Sequence, residues 1–561
     1  MVKELYEKWL HHPNTDETLR TELKSMNEKE INDAFYKNIE FGTAGMRGVL
    51  GAGSNRINIH TIRKATVGFG QYILNYNGQN QGVAIGYDNR HMSYEFAMDC
   101  AKVLASMNIK VYVFERLRPT PELSFAVRHF QCFGGIMITA SHNPKEYNGY
   151  KLYDALGCQL VPHLASQVID LVNAVEDELA IVPVLSKEQE ALIHVVGKDV
   201  DDAYYKEVLA IQLNANLDKT IKIVFSPEHG ASNLAVQSVL KEAGYHCILV
   251  EEQATADPDF SNTESPNPED VKAYKLAIEY AKKHDADVIL VCDPDGDRMG
   301  VAVKKDQEYK VLTGNQTGAV LIEYILSQLT KQQRLPNDAI MFNTVVTSDL
   351  GEKIASSYGV ETEKTLTGFK FIGEKVAKYE INHEKTYVFG YEESYGSLIK
   401  DFVRDKDATQ ACLMLAEACN YYALESKTLY DVLLDLYHKH GTYDESQIAI
   451  TLKGQEGALK IQSIMQTLRE HPLKEVAGVK VIGYQDFQRL IEVKDNQEKA
   501  LAGFTPSDVL KFYLEDGSWI AVRPSGTEPK CKIYFDVVGS SEEDAKKKAA
   551  TFHKAMQEHT K

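Results

Sequence analysis

Short runs of β-branched and apolar residues alternate with amphipathic stretches through most of the chain, and each run ends in Gly, Asp, Asn or Ser. Clear cases are residues 82–87 (GVAIGY), 111–114 (VYVF), 135–139 (GIMIT), 221–225 (IKIVF), 288–292 (VILVC), 340–343 (IMFN) and 386–389 (TYVF). A β-branched run fits a pleated, packed surface, and a helix-length stretch between two such runs returns the chain to lie parallel to the first. The alternation therefore predicts an α/β fold with largely parallel sheets. After about Thr442 the pattern becomes helices among isolated strands at 519–522 and 532–537, which predicts a smaller α+β domain. A chain of 561 residues has room for three or four domains, each with its own core. Charged stretches at 198–202, 304–314 and 439–444 suggest the divisions 1–200, 201–310, 311–440 and 441–561. The first three are read as mixed α/β domains of similar units and the last as the α+β domain.

Charge narrows the partners. Lys and Arg total 62 against 80 for Asp and Glu, a formal net charge of −18. A field of that sign repels nucleic acid and anionic membrane, but it does not bear on a small anionic ligand, which feels only its local surroundings. The first residues lack the apolar core of a secretion signal, and no stretch approaches the roughly 20 apolar residues of a membrane helix. Eight cysteines are scattered singly with no CxxC pair, the pattern of reduced packing residues. A cytoplasmic protein is expected.

In parallel α/β sheets ligands bind beyond the carboxyl ends of strands, so the residues just past each run matter most. The run GGIMIT leads into Thr139-Ala140-Ser141-His142-Asn143-Pro144 and then Asn148-Gly149-Tyr150-Lys151. Asn-Pro forces a turn and Asn-Gly allows positive φ, which sets the Ser141 hydroxyl on a rigid loop; a plain turn with a capping serine competes with this reading. A serine hydrolase is disfavoured, since the chain holds no GxSxG elbow. The run DVILVC leads into Asp293-Pro294-Asp295-Gly296-Asp297-Arg298. Three carboxylates at alternate positions repel one another unless neutralised, and they can converge oxygens on Mg²⁺ or Ca²⁺. An EF-hand is disfavoured, because Arg298 and Lys304 occupy the places of its Gly and Glu. The run KTYVF leads into Gly390-Tyr391-Glu392-Glu393-Ser394-Tyr395-Gly396, where carboxylates beside a serine could read sugar hydroxyls, although a surface turn is an equal alternative. Near the C-terminus, 519–522 leads into Arg523-Pro524-Ser525-Gly526-Thr527-Glu528-Pro529. A guanidinium, two hydroxyls and a glycine-freed backbone suit a phosphate. Together these supply a hydroxyl nucleophile, a divalent-metal site, a polyol reader and a phosphate anchor, the parts that phosphoryl transfer needs. A sugar-phosphate phosphatase or kinase, or a non-enzymatic binder of sugar phosphate or Ca²⁺, could use part of the set.

These loops, in this order and with residues 41–48 (FGTAGMRG) before them, resemble the α-D-phosphohexomutase family, and within it the phosphoglucomutase branch. The resemblance spans essentially the whole chain. It implies four domains around a central cleft, each lending one loop. It implies Ser141 as a phosphoserine, and Mg²⁺ held by Asp293, Asp295, Asp297 and a phosphoserine oxygen. Glu392 and Ser394 would read the sugar 3- and 4-hydroxyls. Arg523, Ser525, Gly526 and Thr527 would hold the non-reacting phosphate. Arg47 and Lys151 would flank the transferring phosphoryl, with Lys151 a candidate proton acceptor and His142 a donor beside the serine. Arg298 would orient the metal ligands, and Lys406 matches a further basic residue. The implied reaction interconverts α-D-glucose 1-phosphate and glucose 6-phosphate through a bound glucose 1,6-bisphosphate, which also serves as activator. Phosphomannomutase or phosphopentomutase activity is the alternative within the family. One departure stands out: dual phosphomannomutase/phosphoglucomutases carry a GEMSGH sugar loop whose His is a candidate acid/base, and here Gly396 takes that place.

Overall fold

The computed structural model describes residues 2–41, 45–452, 454–495, 497–524 and 530–560. The chain forms two compact units. One comprises Met1–Leu312 with Phe369–Thr428, the other Thr313–Gly368 with Leu429–Lys561. The expected third domain, 311–440, is thus shared between them.

The first unit holds two mixed sheets. One is built from β1 (Met46–Val49), β2 (Val83–Tyr87), β3 (Val111–Phe114), β4 (Gly134–Ile138), β5 (Tyr147–Asp154) and β6 (Ile193–Val196), in the order β1-β5-β4-β2-β3-β6. Strands β4, β2, β3 and β6 run parallel, while β5 returns antiparallel beside β4 and β1 pairs antiparallel with β5 at the edge. All five residues of β2 and of β4 are buried, the signature of parallel strands covered on both faces. Helices Ile59–Asn75 and Pro162–Asn173 lie over one face, where Phe69, Ile85, Ile136, Leu152 and Val168 share one core, and helix Thr120–His129 lies over the other, with Leu123 and Val127 against Gly86 and Gly135. The second sheet comprises β7 (Lys222–Ser226), β8 (His246–Leu249), β9 (Val288–Cys292), β10 (Met299–Lys305) and β11 (Glu308–Leu312), in the order β11-β10-β9-β7-β8. Again the strands β9, β7 and β8 are parallel, while β10 pairs antiparallel with β9 and β11 antiparallel with β10.

The mixed α/β reading holds, and the antiparallel strands beside each parallel set bear on function. The loops after β4 and after β9 are hairpin tips, each joining a parallel strand to an antiparallel return. The pair Thr386–Tyr391 and Ser397–Leu398 repeats the arrangement around the third loop. The returns escaped the sequence because their first residues read as turns. Asn148 and Gly149 lie inside β5, and Gly149 is there for close approach: a Cβ would sit 2.6 Å from the carbonyl oxygens of Met46 and Thr139.

In the second unit, Ala339–Thr344 and Glu361–Thr365 pair in parallel across helix Asp349–Ser357. The C-terminal part is an antiparallel sheet, including Thr442–Thr451, Lys530–Gly539, Trp519–Pro524 and Leu510–Leu514, on which helix Glu542–His559 packs. The strands on either side of 525–529 pair with each other, Pro524 opposite Cys531. Among the described residues no helix is long and apolar enough to cross a membrane.

Candidate active site

The loop after β4 holds Ser141 in left-handed backbone, φ +53°, a conformation a serine adopts only when its surroundings impose it. Its amide donates to Thr139 Oγ1 at 2.8 Å. The turn leaves the hydroxyl donating to Asp293 Oδ2 at 3.2 Å, with His142 Nδ1 also at 3.2 Å. Ser141 and Asp293 are 152 residues apart in sequence.

In the loop after β9, Asp293, Asp295 and Asp297 are buried, and carboxylate oxygens from all three lie within 4.8 Å of one another. The tip is possible because Gly296 adopts φ +66°. The amides of Asp297 and Arg298 donate to Asp293 Oδ1 at 3.1 and 3.0 Å. Burial, then the like charges of Asp297 and Asp295, push the Asp293 carboxyl well above the usual carboxylate range. Asp295 goes the other way: burial acts against its ionisation, but the Lys151 ammonium, 2.8 Å from Oδ2, holds it far below that range. Asp295 Oδ1 and Asp297 Oδ1 are buried with no hydrogen-bond partner. Unpartnered hard oxygens converging beside a serine hydroxyl fit a divalent cation.

Cations surround the acidic tip. Lys151 extends from β5, where it pairs with Met137 of β4, and reaches Asp295 and, at 3.8 Å, Asp297. Lys406 Nζ lies 3.0 Å from both Asp297 Oδ2 and Asp405 Oδ1. Although burial would lower it, Asp297, Asp405 and Glu392 hold the Lys406 ammonium far above its ordinary value. Arg298 Nη1 donates to Glu269 Oε1 at 2.7 Å, and its Nε faces Asp297 Oδ1 at 3.6 Å. Arg47, on β1, donates to Asn143 Oδ1 at 3.1 Å.

The loop 390–396 is tied to this cluster by backbone. Arg298 bridges Gly396, Met299 N donates to Tyr395 O at 3.1 Å, and Glu392 N donates to Gly396 O at 2.8 Å. Glu392 is buried and Ser394 half-buried. A Cβ on Gly396 would lie 2.0 Å from Lys406 Cδ. The glycine found where dual-specificity relatives carry His is therefore matched to a lysine stem crossing that spot.

Ser141, His142, Arg47, Lys151, Asp293, Asp295, Asp297, Arg298, Glu392, Ser394 and Lys406 thus all belong to the first unit. Arg523 is the penultimate residue of strand Trp519–Pro524 of the second, half-buried. Ser525, Gly526 and Thr527 lie outside the described residues. Sequence reading missed several residues of the site. Thr120 clamps Asp295 twice, its hydroxyl on Oδ2 at 3.1 Å and its amide on the carbonyl at 2.8 Å. Asp405 accepts from Tyr153 at 2.7 Å while holding Lys406. Arg90 grips the serine loop. It lies just past the run GVAIGY, so the rule that found the other loops, applied to β2, would have flagged Asp88-Asn89-Arg90.

Four domain families described as phosphoglucomutase/phosphomannomutase match in order. They are alpha/beta/alpha domain I over residues 38–179, domain II over 202–307, domain III over 313–440 and the C-terminal domain over 468–554. The chain belongs to the phosphoglucomutase/phosphomannomutase family and is a phosphohexomutase, an enzyme of the intramolecular phosphotransferase type. It is 38% identical over 543 residues to a protein of Staphylococcus epidermidis named phosphoglucomutase, covering 94% of this chain and 98% of that one. A Staphylococcus aureus protein of the same name is 37% identical over 541 residues, covering 96% of each. Among solved structures, the open form of the Paramecium exocytosis-sensitive phosphoprotein parafusin, a phosphoglucomutase, shares the fold with a TM-score of 0.66 at 19% identity, over 94% of this chain and 95% of that one.

Proposed function

We infer that this enzyme interconverts α-D-glucose 1-phosphate and glucose 6-phosphate, with Ser141 carrying the phosphoryl group between turnovers. The observation that carries the reading is Ser141 Oγ set 3.2 Å from a carboxylate of a buried Asp triad, in a chain near full-length kin to proteins named phosphoglucomutase.

In the first half-reaction the free sugar hydroxyl attacks phosphorus. A bond from the sugar oxygen forms as the bond to Ser141 Oγ breaks; the hydroxyl proton passes to a base, for which Lys151 as the neutral amine is the candidate, and is handed on to the departing Ser141 Oγ. The product is glucose 1,6-bisphosphate, which turns end for end before its other phosphoryl returns to Ser141. Lost early, it leaves an unphosphorylated enzyme, so the same compound acts as activator. A divalent cation, Mg²⁺ in this reading, would be held by Asp293, Asp295 and Asp297 and would neutralise charge on the transferring group. Arg47 and Lys406 add positive charge from fixed positions, which costs no reorganisation during reaction, and Lys151 adds its own once it has taken the proton. Arg298, braced by Glu269, keeps the triad in register. Glu392 and Ser394 accept and donate to the sugar hydroxyls, and Arg523 with 525–527 anchors the phosphate not in transit. Eight free cysteines fit a cytoplasmic setting.

Intact mass tests the central claim. The purified enzyme incubated with glucose 1,6-bisphosphate should gain a species about 80 Da heavier, and Ser141→Ala should lack both that species and turnover. Full activity in Ser141→Ala would refute the reading. Parallel rates on mannose 1-phosphate and ribose 1-phosphate, both expected well below that on glucose 1-phosphate, settle the sugar.

A further inference from the structure

The serine loop is held from behind by a buried side chain outside the roles above. Arg90 lies just past the end of β2 and is 3% exposed. Its Nη2 donates to the carbonyls of Ser141, at 2.6 Å, and of Asn143. Its Nη1 donates to the carbonyls of Pro144 at 2.8 Å and Tyr147 at 3.0 Å. A guanidinium has four terminal N–H donors, and all four are spent on one loop, from the nucleophile to the first residue of β5. The remaining nitrogen, Nε, lies 3.3 Å from Asp88 Oδ2. Asp88 is itself pinned, its Oδ1 accepting from the Arg90 amide at 3.0 Å and from Ser93 Oγ at 2.7 Å. The guanidinium lies 5.3 Å from the Phe260 ring centroid, which fixes its plane.

We propose that Arg90 is a positioning residue for phosphoryl transfer: it locks the backbone of residues 141–147 in the one conformation that aims Ser141 Oγ at Asp293. The proposal rests on Ser141 being the phosphoryl carrier. Three observations converge on it. Ser141 sits at φ +53°, a strained state that persists only where the surroundings over-determine it. The Ser141 carbonyl turned onto Arg90 fixes the peptide plane between Ser141 and His142, and a trans peptide then directs the His142 N–H to the opposite side. With every terminal donor engaged, Arg90 has none left for substrate, so its contribution must act through the loop. Lysine cannot replace it, because an ammonium has three donors and no planar fork.

Arg90→Lys tests this, with Asp88→Asn/Arg90→Met as a second variant that removes the buried pair without leaving a lone charge. Circular dichroism and thermal melting establish the folded fraction. In the folded fraction, kcat should fall on the order of 100-fold, as for a reacting group misplaced by about 1 Å. KM for glucose 1-phosphate should stay within about threefold, because Glu392 and Ser394 do not touch Arg90. Ser141 occupancy by mass after incubation with glucose 1,6-bisphosphate should drop in step with kcat. Wild-type kcat and occupancy in a folded variant would overturn the proposal, and so would a change confined to KM. Failure of both variants to fold would assign Arg90 to stability alone and overturn it as well. Turnover by Ser141→Ala would instead sink the phosphoserine reading, whatever Arg90 does.

Discussion

Replacing Glu228 with Gln should remove a pH dependence that the wild-type fold carries. Glu228 sits past β7 in a tight loop where it and His229 both adopt left-handed backbone, φ +48° and +62°. The carboxyl is buried; Ser226 Oγ lies 3.2 Å from Oε1, and Oε2 has no hydrogen-bond partner. Burial pushes the group from 4.5 up to about 8, against the smaller opposing pull of the neighbouring polar side chains of Thr263, Ser226 and Gln253. Folded protein thus keeps a proton that unfolded chain releases. The stabilisation is complete below about pH 4.5, drains as pH rises and is gone above about 8. At 1.36 kcal/mol per pH unit the whole interval is worth about 5 kcal/mol, of which about 2 kcal/mol falls between pH 6 and 8. Amide exchange in Lys222–Ser226, read by mass spectrometry and corrected for intrinsic rate, reports the local free energy. Protection should fall about 30-fold more in wild type than in Glu228→Gln between pH 6 and 8. Parallel profiles would refute the argument, and with it the claim that a neutral carboxyl occupies this loop. The loop matters beyond stability, because Ala231 N donates to Pro294 O at 2.8 Å and so props the metal loop.

Two further outcomes are expected. Gly396→Ala puts a methyl where the Lys406 stem runs, and with Nζ tied to Asp297 and Asp405 that stem cannot yield freely; kcat/KM should fall about tenfold or more with little change in melting temperature, and wild-type kinetics would disprove the contact. Thr120→Val keeps the shape but deletes the hydroxyl on Asp295, so the activation constant for Mg²⁺ should rise about 10- to 100-fold; an unchanged constant in a metal titration would show that the hydroxyl does not tune the triad.

The loops were legible because each combines a strand-ending run with residues whose chemistry is costly unless used, such as three aspartates in five positions. The return arms were not, since MGVAVKK and YNGYKLYD begin with residues that read as turn or gap, and their strand character comes from pairing with β9 and β4. Thr120 was illegible for a different reason. Alone it is an ordinary residue at a helix start, and its role exists only because folding brings Asp295, 175 residues away, within a hydrogen bond. Asp405 meets Tyr153 in the same way, from 252 residues off, whereas Arg90 stands at a strand end where the rule reaches.

The backbone stitching of Arg298 to Gly396 and of Met299 to Tyr395 makes the first unit a fixed ruler. On the proposed roles, one end of the ruler is the phosphoryl at Ser141 and the other is the pair that reads the sugar hydroxyls, and main-chain hydrogen bonds set the span between them. Side-chain substitutions at Glu392 or Ser394 can change which hydroxyl pattern is accepted, but they cannot alter how far the sugar ring stands from the nucleophile. A sugar phosphate with a different reach would have to be accommodated by the residues proposed to anchor the phosphate not in transit. Specificity for hydroxyl pattern and tolerance of substrate length are thus separable properties, assigned to different stretches of the chain and free to change independently.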